Sequence, residues 1–114
     1  DMYGVDERAC HNLDFNYQSL IDLADYIGME MQSPPFLFRS PVASNSEKAG
    51  LTGYLPLNES GISIHTLTNK LFVTVDVYTC GEVTREQVVD FLKSCYSPTD
   101  LEVTFLTRGN KYHG

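Results

Sequence analysis

His65, Asp76 and Cys80 fall on two consecutive segments that both read as β-strands. Leu71, Val73, Val75 and Val77 alternate with Phe72, Thr74, Asp76 and Tyr78, a period of two. Ser60 to Leu67 repeats the pattern, with Ile62 and Ile64 on one side. Between them Thr68-Asn69 is predicted as a two-residue hairpin loop, because Asn tolerates positive φ. Leu67 then opposes Lys70, and His65 faces Phe72. In that register Ser63, His65, Phe72, Asp76, Tyr78 and Cys80 share one face. Ile62, Ile64, Val73, Val75 and Val77 share the other, which has to pack against helices. An imidazole and a thiol on one polar, aromatic face are proton-transfer groups near neutral pH. A one-residue slip of the hairpin would put them on opposite faces.

Each of these residues also has a plain structural role open to it. His65 could be a hydrogen-bonded surface imidazole, Cys80 a small buried hydrophobe and Asp76 a solubilising charge. No P-loop, GxSxG, HExxH or EF-hand pattern competes for the functional assignment.

The elements that must position these groups follow from the rest of the chain. Leu20, Leu23, Ala24, Ile27 and Met31 recur at three- and four-residue steps and predict a helix from about Asn16 to Met31. Thr84, followed three residues later by Gln87, has capping-box spacing and opens a second helix to about Cys95. Val88, Phe91, Leu92 and Cys95 form its apolar stripe. Leu51–Leu57 and Leu101–Thr107 are further strand candidates, and Phe36–Phe38 begins another. Pro34-Pro35, the stretch from Ser40 to Gly50, Gly81 and Ser97-Pro98 mark loops. Two helices with four or five hairpin-linked strands imply an α+β fold. It would be a two-layer sandwich, an antiparallel sheet carrying both helices on one face.

The chain has 114 residues, enough for one domain and one core. Its net charge of −7 argues against nucleic acid and against an anionic membrane surface as partners. No apolar run is long enough for a membrane span, and no basic-then-apolar leader is visible, so a cytoplasmic protein is expected. Cys10, Cys80 and Cys95 are three in number with no CxxC spacing. That argues against a zinc site or a redox pair and for reduced thiols. Cys95 reads as core, and Cys10 as a half-buried loop or turn residue.

Two segments carry a family resemblance. Asn58-Glu59-Ser60-Gly61-Ile62-Ser63-Ile64-His65-Thr66 and Val75-Asp76-Val77-Tyr78-Thr79-Cys80-Gly81 resemble the prokaryotic S-adenosylmethionine decarboxylase proenzymes. Those proteins carry a Glu-Ser dipeptide, a strand ending in His-Thr, and a strand ending in Asp-x-aromatic-Thr-Cys-Gly. Leu51-Thr52-Gly53 is similar to the family's turn before the Glu-Ser segment, with Thr52 where Ser is usual. Asp1-Met2-Tyr3-Gly4 is similar to the end of the family's first strand, whose start is then expected to be missing.

The resemblance implies a zymogen that cleaves itself between Glu59 and Ser60, giving residues 1–59 (β chain) and 60–114 (α chain) of one domain. Ser60 would end as a covalent pyruvoyl group, the cofactor. This group forms a Schiff base with a substrate amine and serves as an electron sink during CO₂ loss. By the same resemblance His65 and Thr52 serve in processing, and Cys80 protonates the carbanion. The product would enter spermidine and other polyamine synthesis, and a homodimer of processed protomers is implied. Ideal strand geometry puts Ser60 on the apolar face, away from His65 and Cys80, so an irregularity at the cleavage point is expected.

Two departures bear on substrate. The family typically reads His-Thr-Trp-Pro-Glu after the histidine, and its glutamate holds the substrate ribose. Here the segment is His65-Thr66-Leu67-Thr68-Asn69, which leaves Asn69 as the substrate-binding candidate. The segment between Phe38 and Gly50 is longer than the family's. Phe38 is the candidate to stack on adenine, with Phe36 behind it. Ornithine or arginine as substrate of the same machinery, and a non-processing, non-catalytic partner subunit, are the alternative functions.

Overall fold

In the computed structural model, which describes residues 1–109 and 111–112, the chain forms six strands and three helices. In chain order they are β1 (Met2–Tyr3), α1 (Glu7–His11), α2 (Leu13–Tyr26), β2 (Phe36–Arg39), β3 (Leu51–Leu57), β4 (Ser60–Leu67), β5 (Phe72–Tyr78), α3 (Arg85–Tyr96) and β6 (Asp100–Leu101). The strands make one antiparallel sheet in the order β2-β3-β4-β5-β1-β6. This is the expected α+β sandwich, with the helices on one face.

Alternation decides which side chains face the helices. Leu55, Leu57, Ile62, Ile64 and Val73 point inward and are buried against Ala9, Leu20, Leu23, Ala24 and Ile27. Full burial of each such Leu, Ile or Val side chain is worth about 1.5–3 kcal/mol. Val88, Phe91, Leu92 and Cys95 pack on the rim of this core, as their stripe predicts, and Tyr96 is buried beneath them. Its hydroxyl donates to Asn16 Oδ1 at 2.7 Å, which gives a buried amide an inward partner.

The helix ends follow local chemistry. Thr84 and Gln87 form the reciprocal capping box that their spacing predicts. The first long helix is displaced from its expected span of Asn16 to Met31. Asn12 caps it by accepting from the Phe15 N–H at 2.8 Å. It ends at Tyr26 because Gly28 turns left-handed at φ +74° and the Met29 N–H closes back on the Ala24 carbonyl. Met31 is therefore outside the helix and half-exposed, bridged to Leu57. Cys10 is not a half-buried loop residue. It lies in α1, fully buried, and burial pushes its thiol up to about 11.

The β4–β5 turn also differs from expectation. Thr68–Lys70 form a 3₁₀ turn and Leu71 takes the left-handed region at φ +47°, so four residues make the loop. Leu67 pairs with Phe72 and His65 with Thr74. The register moves by two residues rather than one, so the face assignments within the two strands survive, while Cys80 lies beyond the end of β5. Of the expected strand Leu101–Thr107, only Leu101 is in β6, because its partner β1 offers just Met2 and Tyr3.

Candidate active site

The outward rows of the sheet carry the chemistry. One row runs Phe38, Thr52, His65, Thr74, and the next Phe36, Tyr54, Ser63, Asp76. Among the described residues no element covers this face. Phe36 is 51%, Phe38 64%, Tyr54 47% and Tyr78 48% exposed. Phe36 is thus not a core residue, and both phenylalanines of β2 stand beside the Thr52–His65 row.

At one end of the sheet the β3–β4 hairpin turns on Asn58 and Glu59, since Leu57 pairs with Ser60. Glu59 occupies the left-handed region at φ +58°. A side chain there costs roughly 1 kcal/mol, and the surroundings hold it. The Asn58 N–H donates to the Glu30 carbonyl at 2.9 Å, and the Gln32 N–H to the Pro56 carbonyl at 3.0 Å. The scissile candidate Glu59-Ser60 is therefore the corner of a turn clamped from outside.

Ser60 points to the core side and is nearly buried, as its parity predicts. No bulge brings it to Cys80. Instead the chain leaves β5 after Tyr78 and folds over the hairpin corner. The Cys80 N–H donates to Ser60 Oγ at 3.2 Å, and the Cys80 thiol donates to the Glu59 carbonyl at 3.1 Å. Cys80 is exposed, not a buried hydrophobe, and its sulfur also lies 3.9 Å from the Tyr78 hydroxyl. Gly81 and Thr79 steady the segment through a 2.9 Å bond between them.

Thr52 and His65 form the second group. Thr52 Oγ1 lies 3.2 Å from His65 Nδ1 across β3 and β4. They are not beside Ser60. His65 lies five positions along β4 from Ser60, about 17 Å at the rise of a β-strand. The candidate residues thus fall into two half-sites at opposite ends of one ladder: Glu59, Ser60 and Cys80 at one end, Thr52 and His65 with Phe38 at the other. Asn69 lies at the second end. Its side-chain amide donates to the Ser44 and Ser46 carbonyls, both at 2.8 Å.

Two groups at the Ser60 end escape sequence reasoning. A Cβ at Gly61 would stand 2.6 Å from the Tyr54 hydroxyl, so glycine there lets the ring lie over the strand next to the cleavage corner. Strand parity puts Tyr54 and Gly61 on this face, but their contact is diagonal and needs the register. Arg108, from the segment after β6, stacks over Tyr78 with its guanidinium carbon 4.5 Å from the ring centroid. No sequence signal links two such distant positions.

A family model described as S-adenosylmethionine decarboxylase matches residues 1–109. The chain belongs to the S-adenosylmethionine decarboxylase family. Its relatives include an S-adenosylmethionine decarboxylase proenzyme 2 of Bacillus cereus, 29% identical over 96% of this chain and 84% of that protein. The S-adenosylmethionine decarboxylase proenzyme of Brevibacillus brevis is 31% identical over 96% of this chain and 77% of its own length. The crystal structure of the adenosylmethionine decarboxylase from Aquifex aeolicus VF5 superposes with a TM-score of 0.70 at 26% identity. The match covers 87% of this chain and 77% of that one. The family is one of carboxy-lyases, and proenzyme is the name its members carry.

Proposed function

We propose that this chain is a self-cleaving, pyruvoyl-dependent S-adenosylmethionine decarboxylase whose active sites are completed by a second copy of itself. The observation that carries the proposal is the pair of bonds from Cys80 onto the Glu59 carbonyl and Ser60 Oγ.

Self-cleavage needs a hydroxyl held near its own preceding carbonyl and a donor for the charge that develops there. Ser60 supplies the hydroxyl, and the Cys80 N–H holds its oxygen in place. Attack on the Glu59 carbonyl carbon puts negative charge on the oxygen that the Cys80 thiol already meets. The bond between the Glu59 carbonyl carbon and the Ser60 nitrogen then breaks, that nitrogen takes up the hydroxyl proton, and an ester replaces the amide. Loss of the Ser60 α-proton expels the Glu59 carboxylate. Uptake of water and loss of ammonia leave pyruvoyl at position 60. That group supplies an electron sink for the pair left behind when CO₂ departs. Cys80 holds a proton on Sγ next to position 60, where the carbanion must be quenched.

The proton transfers of cleavage need a base, and the His65 of the same chain is about 17 Å away. A symmetric partner packed on the open sheet face, its strands reversed, would bring its Thr52–His65 pair to this Ser60 end. Phe36, Phe38, Tyr54 and Tyr78 give that face the aromatic surface such a contact buries. The remaining features of the proposal are a cytoplasmic enzyme and a product used in spermidine synthesis.

Intact mass under denaturing conditions tests it. Two fragments are expected, residues 1–59 and 60–114, the second lighter than its serine form by one ammonia. CO₂ release with S-adenosylmethionine, ornithine and arginine side by side then assigns the substrate. A single uncleaved species after prolonged incubation, or turnover of an amino acid without turnover of S-adenosylmethionine, defeats the proposal.

A further inference from the structure

The loop 40–50, between β2 and β3, leaves the sheet where Arg39 pairs with Leu51, one row beyond Phe38, Thr52 and His65. Residues 41–45, 47 and 48 are exposed, so the middle of the loop has no apolar anchor. Besides hydrogen bonds within the loop, such as the Ser40 N–H to the Gly50 carbonyl, its polar ties to another element come from three consecutive residues of the β4–β5 turn. The Thr68 N–H donates to the Ala49 carbonyl at 2.9 Å. Lys70 Nζ approaches Glu47 Oε2 at 3.6 Å, an exposed pair of small worth. Between them the Asn69 amide reaches across and donates to both the Ser44 and Ser46 carbonyls.

An amide has two N–H donors, and both are directed at the loop. Asn69 therefore has no donor left for a substrate hydroxyl. From this geometry we propose that Asn69 is a positioning residue. It clamps the 40–50 loop at the rim of the Thr52–His65 half-site, and the clamped loop walls the substrate pocket and sets substrate affinity. The affinity part rests on the decarboxylase function proposed above; the clamp itself does not. Aspartate has the same shape but no donors, and its carboxylate would face two carbonyl oxygens. The site is exposed, so an isosteric change leaves the core untouched.

The experiment compares wild type with Asn69→Asp in three measurements. Thermal unfolding and cleavage at Glu59-Ser60 should match wild type. Trypsin should cut after Lys48 about tenfold faster, since opening the loop no longer breaks the two bonds. With S-adenosylmethionine, KM should rise about fivefold or more while kcat stays within about twofold, the pattern of lost binding rather than lost chemistry. Unchanged trypsin sensitivity overturns the clamp. A raised KM with the loop still protected overturns it in favour of direct substrate contact, and faster proteolysis with unchanged KM removes the role in affinity. If wild type turns over no S-adenosylmethionine, the decarboxylase proposal fails, and the trypsin result still decides the clamp.

Discussion

Separation of the two half-sites makes cleavage a test of who supplies the imidazole. On the proposed mechanism Ser60→Ala removes the attacking hydroxyl and His65→Ala the base, so each variant alone should remain uncut. Within one chain the two residues are five strand positions apart. That is about 17 Å, whereas direct proton transfer requires roughly 3 Å between heavy atoms. On the proposed mechanism, cleavage therefore draws on His65 from the neighbouring chain. When the two variants are co-expressed, a mixed dimer pairs an intact Ser60 on the His65→Ala chain with an intact His65 on the other. Random pairing in a two-fold dimer puts about half of the His65→Ala chains in such mixed dimers. Mass spectrometry with distinguishable tags should then find up to that share of His65→Ala chains cut at Glu59-Ser60. The Ser60→Ala chains should all stay whole. No cleavage in the mixture would refute the shared site, as would cleavage of His65→Ala on its own.

Three further outcomes follow from particular contacts. Cys80→Ala should still be cut, more slowly for want of the donor on the Glu59 carbonyl, and decarboxylation should fall roughly 10²–10⁴-fold; near-full CO₂ release would remove the thiol from the mechanism. Tyr96→Phe leaves Asn16 Oδ1 without its buried partner and should cost about 1–3 kcal/mol in denaturant unfolding, against no loss if that bond is immaterial. Burial raises the Cys10 thiol from 9.0 to about 11, so the folded state keeps a proton that the unfolded chain releases. Stability should therefore be whole below pH 9 and decline as pH rises through about 11. Cys10→Ala should show less of that alkaline decline, measured by thermal unfolding across this pH range.

Much of the architecture was legible in local pattern. Alternation along 60–67 and 71–78 identified both faces of the central hairpin, because the side-chain period of a strand is two whatever its partner does. For the same reason the faces survived a two-residue error in register. The pairing of Thr84 with Gln87 was equally local, since both residues of a capping box lie within one turn. The Glu59-Ser60 dipeptide and the outward placement of His65 needed nothing beyond the chain's own order. What the pattern could not carry was distance between elements. Leu71 in the left-handed region set the register, and no propensity marks a leucine for that role. The burial of Cys10 depended on α1 packing against a sheet assembled mostly from later residues. Folding of the chain after β5 over the hairpin corner placed the Cys80 thiol on the Glu59 carbonyl. Asn69 was committed to a loop more than twenty positions upstream by contacts at 2.8 Å. Sequence order determines which atoms can point the same way along an element. Only packing decides which elements meet, because that depends on burial and hydrogen bonding summed over the whole fold.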